Sequence, residues 1–355
     1  MKNLKRVLSL TLAVLMIVAL AACGGKGAAA SPSDESSAPK AEESIVLKLG
    51  HQRNEQSVLH QNIVKFCEAV EERSNGSIKF EIYPNSTMGD NTVMLERLAV
   101  GDLDMMLAAV TTNLDKRFVM FTYYLASNWD EAYQAFGPES EIMKAMDGVA
   151  LENGFRFLGT YPQYFGGLGL AVKPSQPNNL SYNEGIKIRV PSNVYFSIVA
   201  ETLGYLPTPL AYSDAYTSIQ TGVVDGILGG GAEGYYSDMR DVLKYYLPTN
   251  THFENQQICI SDETWAKLSE NQRTILAEEA LKMCEERWAT AEQSQEEHEQ
   301  LLAESGVEII ELSDEFYAEC EKAVVANTWE ALKDDLGEEL YQLVLDNFGE
   351  RFGMV

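Results

Sequence analysis

The spacing of hydrophobic and polar positions predicts a regular alternation of strands and helices from residue 45 onward. Residues 45–51 form a short apolar run, which predicts a buried first strand. Residues 60–73 repeat apolar positions at helical spacing and end before Ser74-Asn75-Gly76, a typical helix stop. Residues 78–83 alternate between apolar and polar types and end before Pro84, as expected of a second strand.

The next stretch continues the same order of elements. Asp90 is expected to cap a helix over residues 92–100, which ends at Gly101. Residues 104–110 then form an apolar strand. The β-α-β-α-β order is typical of an open α/β sheet with right-handed crossovers.

A second series of elements begins at Gly166. Strands are predicted near residues 168–172, 186–190 and 224–230, and helices at 194–203 and 212–221. The body of about 310 residues is long enough for two α/β lobes. We assign residues 45–165 with about 255–292 to the first lobe, and 166–254 with about 293–355 to the second.

The last third of the chain is predicted to be mostly helical. Ser269 and Gln272 have the spacing of a capping box. A continuous helix over residues 270–305 would be roughly 50 Å long at about 1.5 Å per residue. A helix of that length exceeds one small lobe, so we expect it to run along both.

The first 44 residues have the features of an export signal followed by a tether. Lys2, Lys5 and Arg6 precede an apolar run over residues 7–22, which is shorter than the about 20 residues of a membrane-spanning helix. The run ends in Leu20-Ala21-Ala22-Cys23-Gly24, which resembles a bacterial lipobox with Cys23 as the lipidated residue. Ordinary signal cleavage is the alternative. Residues 25–44 have the composition of a flexible linker.

The charge of the chain excludes several classes of partner. The formal net charge is −26, and it becomes −29 once the three basic residues of the leader are removed. Such a protein is not expected to bind nucleic acid or an anionic membrane surface. An anionic solute would need a local cationic site that overcomes this unfavourable field.

The cysteines and histidines give no sign of a metal centre or a cofactor. The body contains Cys67, Cys259, Cys284 and Cys320, without a CxxC pair. Disulfides and buried free thiols both remain open, and the apolar neighbours of Cys67 and Cys284 favour thiols. The histidines are His51, His60, His252 and His298, and none has an HExxH spacing.

Arg189 is the strongest candidate for ligand binding. It ends the short apolar strand at 186–190 and is followed by Pro191, Ser192 and Asn193 at a strand-to-helix turn. Arginine donates two parallel hydrogen bonds to a carboxylate and stays charged, and a helix N-terminus offers amides to an anion. An internal salt bridge to Asp225 is the alternative role for this arginine.

Six segments, in this order, resemble the solute-binding subunits of TRAP (tripartite ATP-independent periplasmic) transporters of the DctP type. They are Leu47-Lys48-Leu49-Gly50-His51, Gly76-Ser77-Ile78-Lys79 with Tyr83-Pro84-Asn85-Ser86, Met88-Gly89-Asp90, Gly101-Asp102-Leu103-Asp104, the Arg189 strand, and Gln220-Thr221-Gly222-Val223-Val224-Asp225-Gly226. The resemblance covers residues 47 to about 310. It identifies the chain as a member of that family, and any single segment would be weak evidence.

The resemblance implies a Venus-flytrap fold of the periplasmic-binding-protein type, with two α/β lobes, crossing strands and a long spanning helix. It implies that Arg189 pairs with a solute carboxylate and that the receptor delivers its solute to an ion-gradient-driven permease. Tyr212 matches a usually aromatic family position that packs on the solute, with core packing as the alternative. Residues expected on cleft-lining loops or strand ends are Gln52, Asp90, Ala109 and Thr111.

Departures from the family pattern bear on specificity. Relatives that bind acidic sugars carry a second arginine in the stretch that is Gly166-Gly167-Leu168-Gly169 here. After Asp225-Gly226, many relatives continue with a polar pair that ends in asparagine, whereas this chain continues with Ile227-Leu228-Gly229-Gly230-Gly231. The usual Pro-Phe before the next helix corresponds to Tyr123-Tyr124 here, and Trp129 follows shortly after. These changes favour a monocarboxylate with a bulky, apolar or aromatic body. Alternatively, Gly229 lets the backbone approach the solute, and the aromatic residues belong to the core.

Other classes of function fit the sequence less well. No Ser/His/Asp order, zinc signature or phosphate loop is found, so we expect a binding protein and not an enzyme. A receptor that feeds a membrane sensor remains open, and so does an ABC-type solute-binding lipoprotein. A monomer anchored outside the cytoplasm through Cys23 is the expected form.

Overall fold

The computed structural model describes residues 43–180, 182 and 185–355 of the chain. The predicted signal peptide, the lipidation of Cys23 and most of the tether lie outside these residues. In the part of the chain that the structure describes, no helix is both long and apolar enough to cross a membrane.

A five-stranded sheet contains the first strands of the chain, and we call it the first sheet. Its strands are β1 (Ile45–Gly50), β2 (Ile78–Tyr83), β3 (Met105–Ala108), β4 (Phe155–Phe165) and β10 (Phe253–Ser261). The strand order is β2-β1-β3-β10-β4. Strands β1, β2 and β3 are parallel, while β10 pairs in antiparallel fashion with β3 and β4. The predicted α/β sheet is thereby confirmed.

A six-stranded sheet, the second sheet, is built from the middle of the chain. Its strands are β5 (Gly167–Leu170), β6 (Lys187–Val190), β7 (Leu206–Pro209), β8 (Gly226–Gly230), β9 (Tyr245–Leu247) and β11 (Glu308–Ile309). The strand order is β11-β9-β5-β8-β6-β7, with β6 parallel to both of its neighbours. The two sheets correspond to the two predicted α/β lobes.

The chain passes between the sheets at two places that lie side by side. Strand β4 of the first sheet is followed after Gly166 by β5 of the second, and β9 returns to β10 through residues 248–252. The backbone N–H of Gly166 donates to the carbonyl of His252 at 2.9 Å. The His252 ring packs against Gly166, where an added Cβ would lie 1.9 Å from Cε1. The prediction of crossing strands is confirmed.

The helices begin at side-chain caps where the sequence provides them. Asp90 accepts a hydrogen bond from the N–H of Val93 at 3.0 Å, and Ser269 and Gln272 form the predicted capping box. The helices are α1 (Val58–Arg73), α2 (Asn91–Ala99), α3 (Trp129–Phe136), α4 (Glu141–Glu152), α5 (Val194–Thr202), α6 (Tyr212–Gln220), α7 (Ala232–Asp238), α8 (Asp262–Lys267), α9 (Glu270–Trp288), α10 (Ala291–Glu304), α11 (Asp314–Leu336) and α12 (Glu338–Val344), with a 3-10 helix at Lys116–Thr122 and a π-helix at Leu345–Gly349.

The predicted continuous helix over residues 270–305 is wrong in one respect. Helix α9 ends at Trp288 and α10 begins at Ala291, so the long element is broken at Ala289 and Thr290. Thr290 leaves the helical conformation with a φ of −123°, and its backbone N–H donates to the carbonyl of Arg287 at 3.0 Å, three residues earlier. The break lets α9 follow β4 and α1 while α10 packs on α7.

Helix α11, near the C-terminus, contacts elements of both predicted lobes. It packs against α5 beside the second sheet and against the 3-10 helix beside the first. Lys116 forms an ion pair with Asp335 at 3.0 Å, and the Tyr123 hydroxyl donates to the carbonyl of Trp329. Because α11 contacts elements of both lobes, its contacts do not assign it to one of them. The residue boundaries that we predicted for the two lobes stay a prediction.

Candidate functional site

Arg189 lies on β6, the strand next to the edge of the second sheet, and is almost completely buried. Strand β6 places it between Thr208 of β7 and Ile227 of β8, and 4% of the residue is exposed. Its Nε donates to the carbonyl of Leu210 at 2.9 Å and Nη1 donates to that of Leu228 at 3.5 Å. Burial lowers the pKa of the guanidinium to about 10, so it stays protonated at neutral pH.

The alternative salt bridge between Arg189 and Asp225 is not formed. The Asp225 carboxylate accepts the backbone N–H of Lys187 at 2.9 Å, at the start of the strand. Lys187 is exposed there, whereas Arg189 is buried. Within the described part of the chain, no carboxylate lies within ion-pair distance of Arg189, in contrast to the buried arginines at 53 and 287.

Tyr212 lies between two guanidinium groups. It is the first residue of α6, and its ring centroid is 5.5 Å from Cζ of Arg189 and 4.6 Å from Cζ of Arg53. Both distances fall in the cation–π range. Burial raises the pKa of the Tyr212 hydroxyl, which stays protonated and donates to Asp238 at 2.9 Å. The predicted neighbourhood of Tyr212 and Arg189 is therefore formed.

Arg53 is a site residue that the sequence reasoning missed. It follows β1 in the first sheet and is 2% exposed. Nη1 forms an ion pair with Asp238 at 3.3 Å, and Nη2 donates to the Tyr164 hydroxyl and to Oε1 of Gln163. Its Nε is buried and has no partner among the described residues. The carboxyl end of a parallel strand was the available signal, because open α/β sheets bind ligands at that edge.

Glu254 is a second site residue that the sequence did not reveal. It lies on β10 and faces both Arg53 and Arg189, at distances longer than an ion pair. Burial raises the pKa of its carboxyl, while the two arginines and a hydrogen bond from Gln256 oppose that shift. The cluster thus contains two guanidinium groups, the paired carboxylate of Asp238 and the carboxyl of Glu254, whose pKa is raised by burial.

The turn after β6 and the glycine opposite it pack together. Gly229 has a φ of +92°, and an added Cβ would lie 2.7 Å from Cγ of Pro191 and 3.6 Å from Nη1 of Arg189. The glycine therefore allows the backbone to lie close to Pro191 and Arg189. The alternative interpretation, in which Gly229 lets the backbone approach the solute, stays a prediction. Ser192 is exposed, and the side chain of Asn193 caps α5 by accepting the N–H of Phe196.

The remaining predicted cleft residues lie at loops and strand ends, and their binding roles stay predictions. Gln52 precedes Arg53 and is half-buried, and Ala109 follows β3 directly. The hydroxyl of Thr111 is buried without a partner among the described residues, which is consistent with a polar ligand nearby. The carboxylate of Asp90 is used as the cap of α2.

Trp129 and Tyr123-Tyr124 are packed among other aromatic residues. Trp129 makes edge contacts at 5.4 Å with both Phe165 and Phe253. The two tyrosines are buried against Trp329 and Phe352. The interpretation of Tyr123-Tyr124 as aromatic surface around the solute is wrong, because they are core residues in contact with α11 and the C-terminal segment.

The stretch that carries a second arginine in some relatives has no space for one here. An added Cβ would lie 1.9 Å from the His252 ring at Gly166, 2.4 Å from the carbonyl of Leu247 at Gly167, and 2.6 Å from Leu243 at Gly169. Each of these distances is shorter than a real side-chain contact. The packing around Gly166 and β5 therefore excludes an arginine at each of these three glycine positions.

A third buried arginine joins the two helices of the long element to the crossing strand. Arg287, near the end of α9, forms an ion pair with Glu233 of α7 at 2.7 Å, and both side chains are buried. It also donates to the carbonyls of Pro162 and Gln163 in β4, at 2.9 and 2.8 Å. Ser294 of α10 donates to the same Glu233 oxygen, which completes the partners of this pair.

Metal and thiol chemistry find no support in the described residues. No cluster of three or more His, Cys, Asp or Glu side chains suited to a metal ion is found among them. His51 and His60 form a nitrogen–nitrogen hydrogen bond of 3.0 Å, and burial lowers the pKa of His51 to about 3. Cys67, Cys259, Cys284 and Cys320 are buried free thiols.

Comparison with known proteins identifies the family. Residues 49–334 match the DctP family model, described as bacterial extracellular solute-binding protein, family 7. The sialic acid-binding periplasmic protein SiaP of Vibrio cholerae is 26% identical over 278 residues, which cover 77% of this chain and 85% of that protein. A solute-binding protein of Roseobacter denitrificans is 29% identical over 305 residues, covering 84% and 91% of the two chains.

Solved structures agree with this assignment. The crystal structure of a TRAP periplasmic solute-binding protein from Roseobacter denitrificans with bound L-galactonate is 26% identical and superimposes with a TM-score of 0.74, covering 86% of this chain and 99% of that one. A sugar acid-binding protein of Advenella mimigardefordensis has the same fold, with a TM-score of 0.79 at 21% identity and coverage of 87% and 99%. The chain therefore belongs to family 7 of the bacterial extracellular solute-binding proteins, and it is a transport receptor and not an enzyme.

Proposed function

We propose that this receptor binds a small organic monocarboxylate between its two sheets, with Arg189 as the group that holds the carboxylate, and delivers it to a TRAP permease. The observation that carries the proposal is a buried guanidinium, 4% exposed, with two carbonyl partners and no carboxylate partner in the described part of the chain. Family membership supports transport outside the cytoplasm.

The physical argument rests on the cost of burying a charge. An ionised group that leaves water needs a compensating charge or hydrogen bonds, and two carbonyls provide part of that compensation. A solute carboxylate would supply the opposite charge in a place from which water is largely excluded, where the attraction is strong. The Roseobacter denitrificans relative was crystallised with L-galactonate, which also carries one carboxylate.

The nature of the rest of the solute is a finer proposal. The rings of Tyr164 and Tyr235 are buried near the two arginines, and that of Tyr212 is half-buried between them. The stretch from Gly166 to Gly169 has no basic side chain. These features favour a solute with an apolar or aromatic body. A hydroxylated sugar acid is the competing solute, because Gln163, Gln256 and the Nε of Arg53 offer buried polar groups on the same side.

The test is a binding comparison between each acid and its neutral amide. Thermal shift and calorimetry on the mature protein would use aromatic monocarboxylates, galactonate and their amides. A ligand at 100 times its Kd should stabilise the protein by about 2.7 kcal/mol. Arg189→Ala should weaken binding by about 2–5 kcal/mol, because one partner of a buried charge pair is removed. Arg240→Ala, which removes an exposed arginine, is the matched control.

Two outcomes would contradict this proposal. Equal affinity for an acid and its amide would show that no cationic group recognises the carboxylate. Retention of acid binding by Arg189→Ala would move the anchor to another residue, with Arg53 as the first candidate.

We also propose that the mature protein is held at the membrane through lipidated Cys23. The support is the sequence Leu20-Ala21-Ala22-Cys23-Gly24 after a charged and apolar leader. Cys23→Ser should release the protein from the membrane fraction into the soluble fraction after cell fractionation. An unchanged membrane fraction for Cys23→Ser would contradict the anchor.

A further inference from the structure

Asp238 has three partners that come from both sides of the site. It is the last residue of α7, and its side chain is 13% exposed. It accepts hydrogen bonds from Nη1 of Arg53 at 3.3 Å, from the Tyr212 hydroxyl at 2.9 Å and from Nδ2 of Asn54 at 2.5 Å. Arg53 and Asn54 follow the first strand of the first sheet, whereas Tyr212 and α7 belong with the second.

The two arginines beside Tyr212 differ in their partners although their positions are similar. Both guanidinium groups lie on the Tyr212 ring, with Cζ at 4.6 Å for Arg53 and 5.5 Å for Arg189. Asp238 is the one carboxylate within ion-pair distance of Arg53 in the described ranges. Asp238 therefore has the position relative to Arg53 that a solute carboxylate would have relative to Arg189.

We propose that Asp238 is a specificity-determining residue that takes the place of a second solute carboxylate and restricts the receptor to monoanions. This inference rests on the proposed function, in which Arg189 holds the first carboxylate. A dicarboxylate that reached Arg53 would bring its second charge against Asp238. Like charges placed together in a desolvated site discriminate strongly against a wrong partner, because the repulsion is not screened by water.

The other contacts of Arg53 would keep its guanidinium in place for a second solute carboxylate if Asp238 lost its charge. Its Nη2 is held by Tyr164 and Gln163, and Nε is buried without a partner among the described residues. If the Asp238 charge were removed, the guanidinium would keep its position through these neutral contacts. A second carboxylate could then satisfy both the charge and the unpaired N–H.

The experiment compares pairs of acids that differ by one carboxylate. Calorimetry would measure galactonate against galactarate, and 3-phenylpropionate against 3-(4-carboxyphenyl)propionate, for wild type and Asp238→Asn. We expect wild type to favour the monoanion of the pair and Asp238→Asn to shift the ratio of affinities toward the dianion by at least about tenfold, which is about 1.4 kcal/mol. Asp241→Asn, an exposed carboxylate on the same segment, should leave the ratio unchanged.

Two further variants separate selectivity from a purely structural role. Asp238→Glu should retain the preference for monoanions, and Arg53→Gln combined with Asp238→Asn should lose the gain for dianions. If Asp238 serves as a contact between the two sheets alone, Asp238→Asn will weaken both acids by the same factor, and the inference is overturned. A wild-type preference for the dianion would also overturn it. Acid binding that survives Arg189→Ala refutes the proposed function instead.

Discussion

Arg287 and Arg189 are both buried arginines, but their surroundings are complete in one case and incomplete in the other. Arg287 is 1% exposed and has Glu233 at 2.7 Å, with two backbone carbonyls and a carboxylate that Ser294 also supports. Arg189 has two carbonyls and the face of Tyr212. Burial alone therefore does not indicate a binding residue, whereas burial with an unmet need for a counterion does.

The difference also separates stability from function. The Arg287 pair connects α9, α7 and the crossing strand β4, so its partners all belong to the folded framework. The partners of Arg189 compensate its positive charge only in part, and a solute carboxylate can supply the missing negative charge. We expect substitutions at the two positions to have opposite consequences for the free energy of unfolding and for binding.

The largest expected effect is at Arg287. Arg287→Ala leaves Glu233 buried without its cation and should lower the free energy of unfolding by about 3–5 kcal/mol. Urea denaturation of the ligand-free protein would measure it. Replacing both partners, with Arg287→Met and Glu233→Leu, should recover most of the loss. A small effect of Arg287→Ala would mean that the two arginines do not differ as described.

Acid titration measures a contribution to stability that does not come from the two arginines, because neither of them loses its proton at acidic pH. Burial lowers the pKa of His252 to about 3, and both ring nitrogens lack partners among the described residues. The unfolded state takes up a proton below about pH 6.5 while the folded state does not, so stability falls between about pH 6.5 and 3. The loss at pH 5 should be about 2 kcal/mol for this residue.

His252→Leu should remove that part of the acid sensitivity. The measurement is the free energy of unfolding in urea at pH 7 and pH 5 for both proteins. The same slope with pH in His252→Leu would show that the ring is protonated in the folded state. His298, which is half-buried, offers a matched substitution away from the crossing.

Substitution of Glu254 tests how far the positive charge of Arg189 lacks a counterion in the ligand-free protein. An ionised Glu254 competes with the solute for the two arginines, and its pKa is raised by burial. An arriving carboxylate raises that pKa further, so binding takes up protons and affinity falls as pH rises through the Glu254 range. Glu254→Gln should increase the affinity at neutral pH by up to about tenfold, about 1.4 kcal/mol, and flatten its pH dependence.

Calorimetry at several pH values, in buffers of different ionisation enthalpy, would detect the proton uptake for Glu254 directly. Glu296→Gln, at an exposed position of α10, is the control. Weaker binding in Glu254→Gln would mean that the carboxylate contacts the solute favourably, for example through a hydroxyl group.

The smallest expected effect is that of Arg189→Met on the ligand-free protein. Removing a partly compensated buried charge and filling the space with an apolar chain should change the free energy of unfolding by less than about 1 kcal/mol, or increase it. Urea denaturation without ligand measures this value. A loss comparable to that of Arg287→Ala would assign Arg189 to the framework.

The sequence indicated the residues of the candidate site that lie on one continuous segment, and their binding roles stay predictions. The Arg189 strand, the turn at Pro191 and the first turn of α6 are local patterns, and the structure brings Arg189 and Tyr212 together. Arg53, Glu254 and Asp238 come from three distant segments and have no local motif. Their roles depend on the register of β10 and the end of α7, which hydrophobic spacing does not determine.

The fold was predictable to a similar degree. The strands and helices up to residue 110 follow their apolar periodicity closely, because one face of each is buried. The break at Ala289 and Thr290 was missed because both residues are compatible with a helix, and the break depends on tertiary packing against β4 and α7. Tyr123-Tyr124 was misinterpreted for the same reason, since the contact with α11 lies about 200 residues away in sequence.

The packing of the His252 ring on Gly166 has a consequence for evolution. An arginine at residue 166 would collide with the ring, so this substitution alone would destabilise or unfold the protein. A smaller residue must first replace His252 before a basic side chain can enter this stretch. The order of mutations is thereby constrained, and descendants of this receptor would acquire a new solute class more readily through α7 or the loop after β1.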